Sequence, residues 1–461
     1  MMNDHFNKKN CINEISLVTL GGCPDGVYDN SEQIANAMAN LKNSGGGILR
    51  IGKGIWRTGP FEIFSGITLA LEEGAVLSFI PEPKRYRPVL TRWEGVECYA
   101  MHPCIFAEGQ ENISIIGKGI LDGSGKYWWD MLSEKRKRGQ INPETPEELE
   151  LAGYNTEYKN QPNGGGGRNM QFLRPPLLQF LKCRSISLEG ITLQNSPFWT
   201  VHPVFCSDIK IDGLVIKNPP DAPNTDGIDI DSCEDVIIKN CHVSVGDDGI
   251  VLKSGSGEDG LRAGKPCRRI SVYECTVEDG HGGIVIGSET AAGIKDVFVE
   301  NCIFRGTDRG IRIKTRRGRG GRIENLEFKN LIMENNLCPI AINMFYRCGA
   351  NDSKLYFSQE ALPVDNVTPS IRNINIMNIR ASGCRASAGF IAGLPESPVE
   401  NLSVLHCEFF TDEKSGISPD ESEMYLGLPS ITEKCIRLLN VKNAVFNDVL
   451  VHGPAETFIY R

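Results

Sequence analysis

The sequence predicts an all-β solenoid with a short helix over its N-terminal end. Three observations carry this. Short runs of alternating apolar residues begin near Ile113, Ile186, Ile209, Val236, Ile270, Val297, Leu326, Ile374 and Leu402, with no helical stretches regularly spaced between them. Gly-Ile steps fall at 227, 249, 283 and 310, intervals of 22, 34 and 27 residues, which is the repeat length of a stacked architecture. Asn240, Asn301, Asn330 and Asn378 recur at one phase of the repeat, and asparagine suits a corner because it tolerates left-handed backbone and bonds locally. Length alone, 461 residues, predicts about three domains. A solenoid overrides that count, because its core is one column, so residues 1–461 are read as a single domain.

The elements follow in chain order. Asp25-Gly26-Val27 reads as a turn. Ile34, Met38 and Leu41 recur at helical spacing within Ser31 to Ser44, and Gly45-Gly46-Gly47 stops the run. Such a helix would cover the apolar edge that an open solenoid exposes. Strand-like runs follow at Ile48 to Ile51, Ile67 to Leu71 and Val76 to Phe79, and from Ile113 the coil repeat is plain. Coils are expected to stack ~4.8 Å apart. Two polar insertions break the pattern, 127–170 and 349–367, the first with a helix expected near Glu144 to Ala152. Insertions of that length tend to carry function, and both are expected to wall a binding site.

Composition excludes several classes. The net charge of −9 argues against nucleic acid as a general partner. No run approaches ~18 apolar residues, so no membrane span is predicted. Met1 to Asn10 is polar with no apolar signal region, so a cytoplasmic protein is expected. Of the 16 cysteines, Cys241, Cys275, Cys302 and Cys407 recur at one repeat phase, which reads as buried, reduced side chains. No CxxC pair of zinc type is present, and neither a metal nor another cofactor is expected. Oligomeric state is not legible.

The chemistry-bearing residues concentrate between Asn224 and Lys314. If the chain is a solenoid, Asp226, Asp247 and Asp248 lie on adjacent coils. Crowded carboxylates raise at least one pKa, giving one protonated and one ionised acid, the pair that glycoside hydrolysis requires. His281 sits among Gly280, Gly282 and Gly283, with open backbone around it. Arg312 and Lys314 alternate with Ile311 and Ile313, so both point away from the core on one side. Such a cation pair suits a sugar carboxylate. The run Arg316-Arg317-Gly318-Arg319 extends the positive field, which in an acidic protein favours a polyuronate.

At these residues the sequence resembles glycoside hydrolase family 28, the polygalacturonases. The motifs are Asn224-Thr225-Asp226, Gly246-Asp247-Asp248, Gly280-His281-Gly282 and Arg312-Ile313-Lys314, with Trp199-Thr200-Val201-His202-Pro203 and Gly119-Ile120-Leu121-Asp122-Gly123 upstream. The resemblance implies a right-handed parallel β-helix and inverting hydrolysis of α-1,4-linked galacturonic acid. It implies Asp247 as general acid, Asp226 and Asp248 as activators of water, and His281 in support. Arg312 and Lys314 would bind the uronate, with Tyr346 and His202 as further substrate contacts. Gly249 stands where many members have Cys. The 127–170 insertion and Arg92-Trp93-Glu94-Gly95 look more like bacterial and plant members, and an insertion closing one end of the cleft implies attack from the chain end. Three alternatives stay open: a galacturonohydrolase of rhamnogalacturonan or xylogalacturonan, a calcium-dependent pectate lyase, and a non-catalytic binding β-helix.

Overall fold

The computed structural model describes residues 13–162, 164–350, 354–453 and 457–460. Met1 to Asn10 therefore lies outside the described residues. So do position 163 of the first insertion and positions 351–353 of the second. The chain winds as a right-handed parallel β-helix. One parallel sheet of 12 strands runs its length, from Phe61–Glu62 to Phe458–Tyr460. The other two walls merge into one 23-stranded assembly, because Arg322–Glu334 pairs with both Ile294–Glu300 and Ile303–Arg305 and so runs through the corner between them.

Register explains the uneven repeat. Ile228, Ile250, Ile284, Ile311 and Ile340 are successive partners in the 12-stranded sheet, so unequal sequence intervals become one column of stacked isoleucines. The preceding glycines have a reason of space. A Cβ on Gly227, Gly249, Gly283 or Gly310 would lie 2.6, 2.5, 2.5 or 2.4 Å from Val243, Val277, Phe304 or Met333 respectively. Those four side chains are themselves a stack on the adjoining wall. Glycine stands at these positions because the adjoining wall already fills that volume.

The corners are asparagine ladders. Asn240, Asn301, Asn330 and Asn378 all have φ between 54 and 57°. The Asn378 amide donates to Asn330 at 3.0 Å and that of Asn330 to Asn301 at 3.2 Å. A second ladder, Asn325, Asn373, Asn401 and Asn443, turns the other side. Cysteines occupy inner corners: Cys241, Cys275 and Cys302 stack at one, and Cys183, Cys206 and Cys233 at another. All six are buried free thiols.

The helix Ser31–Asn43 buries Ile34, Ala37, Met38 and Leu41 over the first coil. The first insertion holds two longer helices. Pro146–Tyr154 starts at a capping box of Thr145 and Glu148, close to its expected position. Lys126–Lys137 was not legible as a helix, because its sequence is mostly polar and Trp128 and Leu132 alone mark its buried face. The two helices are joined by a buried ion pair, Lys135 to Glu148 at 2.6 Å. Among the described residues, no helix is long and apolar enough to cross a membrane.

Candidate active site

The outer face of the 12-stranded sheet is the floor of the site. Asp248–Lys253, Gly282–Gly287 and Arg309–Lys314 are consecutive strands on it. Asp226 and Asp247 lie at the entrances of their strands, so sheet register brings three acids from two coils together. One oxygen of each of Asp226, Asp247 and Asp248 lies within 4.8 Å of the others. Arg174 fixes the loop carrying Asp226, donating to the carbonyls of Pro197 and Pro223 and to the Asn224 side chain at 2.8–2.9 Å. Asn224 has φ +56°, the left-handed turn that aims Asp226 at the floor.

The three acids differ in environment. Asp226 is buried, and burial, Asp229 and Asp247 push its carboxyl well above the usual carboxylate range. Asp248 is also buried. Burial would raise it, but Lys314, Arg312 and Lys253 outweigh that and hold it below the usual range. Its oxygens accept from Arg312 Nη1 at 3.0 Å and Lys314 Nζ at 2.5 Å. Asp247 is half-buried and lines the cavity. The cluster therefore sets one carboxyl whose charged form is favoured beside one whose protonated form is favoured.

Gly282 pairs with Asp248, and a Cβ there would stand 2.4 Å from Val285 Cγ2, so the strand has no room for a side chain at this point. Gly280, at φ +75°, lets the His281 N–H reach the Asp247 carbonyl at 2.9 Å. His281 is half-exposed and bonds Asp308 through Nδ1 at 2.8 Å. That bond raises its pKa against the opposing effect of burial, with Asp247 and Asp248 adding to the rise. Beneath the acids lies a buried charge network. Lys253 donates to Glu289 at 3.1 Å, approaches Asp229 at 3.6 Å, and sits 4.5 Å over the Trp199 ring. Burial opposes ionisation of Glu289, but Lys253 and Arg319 bring it down to about 2. Asp229 has the reverse fate, raised by burial more than Lys253 lowers it.

Two sequence expectations are corrected. His202 is fully buried and does not reach the cavity. Its Nδ1 meets Gln179 at 2.8 Å, its Nε2 lies 3.6 Å from Asp231, and its ring packs edge-on to Trp199 at 4.7 Å. It points outward from the strand as alternation requires, but the hairpin Pro88–Trp93 and Val96–Met101 covers that stretch, with Arg92 on Asp231 at 2.8 Å. Arg312 does not present a free fork to a uronate. It is 2% exposed, and Nε and Nη2 bind both oxygens of Glu423 at 2.9 and 2.8 Å while Nη1 holds Asp248. Arg312, Lys314 and Tyr346 all line the cavity, with the Lys314 ammonium 5.4 Å over the Tyr346 ring.

Glu423, Glu289, Lys253 and Glu94 were missed. Lys253 carried a signal, since it alternates with Ile250 and Leu252 as Lys314 does with Ile311 and Ile313. Glu423 carried none, being 111 residues from Arg312 and outside any strand. Glu94 comes from the covering hairpin and accepts from the N–H groups of Gly164 and Gly166 at 3.1 and 2.8 Å. Glu94 and Gly164 wall one side of the cavity, and Tyr346, Cys348 and Met424 also line it. The three clustered acids have a cation's ligand chemistry, but Lys253, Arg312 and Lys314 already supply fixed positive charge there.

Residues 161–392, half of the chain, match the model of glycosyl hydrolases family 28. A probable polygalacturonase of Vitis vinifera is 28% identical over 399 residues, 84% of this chain and 72% of that protein. An endo-polygalacturonase of Pectobacterium carotovorum subsp. carotovorum is 28% identical over 342 residues, 69% of this chain and 73% of that protein. Among solved structures, a hyperthermoactive exopolygalacturonase from Thermotoga maritima matches with a TM-score of 0.74 and 31% identity, over 87% of this chain and 88% of that one.

Proposed function

The chain belongs to glycosyl hydrolases family 28, and from that premise we propose that it cleaves α-1,4-linked galacturonic acid from the ends of pectic chains, with inversion. It is a glycoside hydrolase of the polygalacturonase family, whose substrate class is galacturonan. The observation that carries the reading is the acid cluster, in which oxygens of Asp226, Asp247 and Asp248 meet within 4.8 Å at one cavity while Arg312 and Lys314 pin Asp248 through both of its oxygens.

Hydrolysis of a glycoside needs a proton on the leaving oxygen and a carboxylate for the attacking water. Asp247 is our choice of acid, since it is the half-exposed member facing the cavity. Asp248, the firm anion, is the principal acceptor for the water, and Asp226 orients the water's other side. Water adds to the anomeric carbon, the glycosidic C–O bond breaks, Asp247 gives its proton to the leaving oxygen, and the water's proton passes to the Asp226–Asp248 pair. His281, whose cationic form Asp308 favours, stabilises Asp247 as it becomes an anion. Lys314 and Tyr346 face the sugar, and Arg312 acts through Asp248.

Carboxylate spacing alone favours the opposite stereochemistry. Oxygens within 4.8 Å are closer than the ~6.5–9.5 Å of a usual inverting pair and nearer the ~5–5.5 Å of a retaining one. Inversion is preferred because a nucleophile must advance onto the anomeric carbon, and Asp248 is pinned through both oxygens. Attack from the chain end is favoured by the walls of Glu94 and Gly164 and by the exopolygalacturonase relative. A product time course on defined oligogalacturonides, followed by NMR, tests all three points. The expected result is β-configured product first, released as one short species from the outset. Mixed lengths at early times from polygalacturonate would refute chain-end attack, and α-product first would refute inversion.

A further inference from the structure

Beside the acid cavity lies a larger one of 530 Å³, walled by Tyr158 and Gln161 of the first insertion and by Arg316, Gly318 and Tyr356 opposite. Arg319 lines both cavities, so they adjoin. Arg316 and Arg319 are 5% and 3% exposed. Carbonyls can hold a buried guanidinium, as they hold Arg174, which lines neither cavity, but a carboxylate holds one more firmly, because leaving the charge unpaired costs several kcal/mol. That is the fate of Arg317 between them, whose fork is bound to Glu396 at 2.5 and 2.8 Å.

Arg316 and Arg319 are held differently. Among the described residues Arg316 has no carboxylate within ion-pair distance, donates only to the carbonyls of Arg317 and Gly349, and stacks 4.6 Å over the Tyr356 ring. Its Nε is buried without a partner. Burial and the neighbouring Arg319 push its pKa down to about 10. Arg319 donates to the Ser256 hydroxyl at 2.8 Å, and its Nε is likewise unpartnered. Its nearest acid, Glu289, is 3.7 Å away and already bound to Lys253 at 3.1 Å. Two like charges are thus held together, facing one cavity, with donors in reserve.

We propose that Arg316 and Arg319 form a second carboxylate-binding subsite, which takes the acid group of the uronate one residue beyond the two that flank the scissile bond. This deepens the galacturonide reading above and rests on it. An anion there relieves the repulsion between the two guanidiniums and engages their unused N–H groups. Tyr158 and Tyr356 line the same cavity and add apolar surface for a sugar ring. With a neutral sugar, Arg316 would have no carboxylate among the described residues and Arg319 only a share of Glu289, so the subsite selects an uninterrupted run of uronates over a chain that alternates with neutral sugars.

The test is binding of digalacturonate and trigalacturonate, by calorimetry, to the full chain carrying Asp247→Asn. With both arginines present the third residue should tighten binding about tenfold, the return of one good charge-assisted contact. Arg316→Gln with Arg319→Gln should abolish that gain. The inference is overturned if the gain survives the double substitution, or if the native arginines give no gain. If Asp247→Asn binds neither oligomer while wild type hydrolyses neither, it is the galacturonide reading that has failed, and the subsite with it. Should the double variant not fold, Arg316→Lys keeps the charge and loses the fork. A several-fold loss confined to the trimer is then expected, and no loss overturns the inference.

Discussion

Glu423→Gln probes the contact that sequence could not foresee. Glu423 and Arg312 are 0% and 2% exposed in their side chains and share two charge-assisted bonds of 2.8 and 2.9 Å. Together with Arg309 they bring Glu423 down to about 2, although burial alone would raise it. Removing one partner of a buried pair leaves the other charge uncompensated, at a cost of about 3–5 kcal/mol. Glutamine keeps one acceptor, and Arg312 keeps Asp248, so the lower end, about 3 kcal/mol, is expected. The loss should barely depend on salt, because a pair this buried is poorly screened. Activity should fall as well. An Arg312 no longer shared with Glu423 draws more strongly on Asp248, making it a poorer acceptor for the water's proton. Urea unfolding at low and high salt measures the first effect and turnover of trigalacturonate the second. A cycle with Arg312→Gln isolates the pair, with a coupling of at least ~2 kcal/mol expected. A Glu423→Gln protein with native stability and native turnover would refute the reasoning.

Other outcomes follow from the same geometry. Asp247→Asn should lower hydrolysis about 10²–10⁴-fold with the melting temperature kept, and native turnover would remove Asp247 from the acid role. Glu289 and Glu423 both have folded pKa values of about 2, against an ordinary 4.5. Their contribution to stability is therefore complete above about 4.5 and lost as pH falls from there toward 2; unfolding free energy measured at pH 6, 4 and 3 should decline, and a flat profile would contradict it. His281 runs the other way, since Asp308 raises its pKa above 6.5, so its ion pair is fully present below 6.5 and lost as pH rises through the raised value. In Asp308→Asn the alkaline limb of kcat/KM should move to lower pH, and an unmoved limb would deny His281 its supporting role. Gly283→Ala, whose Cβ would stand 2.5 Å from the Phe304 ring, should cost about 1–3 kcal/mol in unfolding measurements.

Much of this molecule is written locally. A coil of a parallel β-helix repeats the same few demands, so the sequence by itself determined the stacked isoleucines, the left-handed asparagines of the corners and the glycines that precede those isoleucines. It determined the acid cluster too, because register turns neighbouring repeats into neighbours in space, and Asp226, Asp247 and Asp248 each sit at a repeated position. Alternation also shows which residues leave the core, but not what they then meet. Arg312 points outward as alternation reads it, and His202 does so too, but the tertiary structure alone decided that a hairpin from residues 88–101 buries His202 and that Glu423 claims Arg312. The contacts that tune the site come from Glu94, Glu289, Arg316 and Glu423, on a hairpin tip and on the turns and segments outside the strands. No period links those segments to the coils they cover. Their partners are set by where the chain returns after a long excursion, which is a property of the folded column and not of any window of sequence.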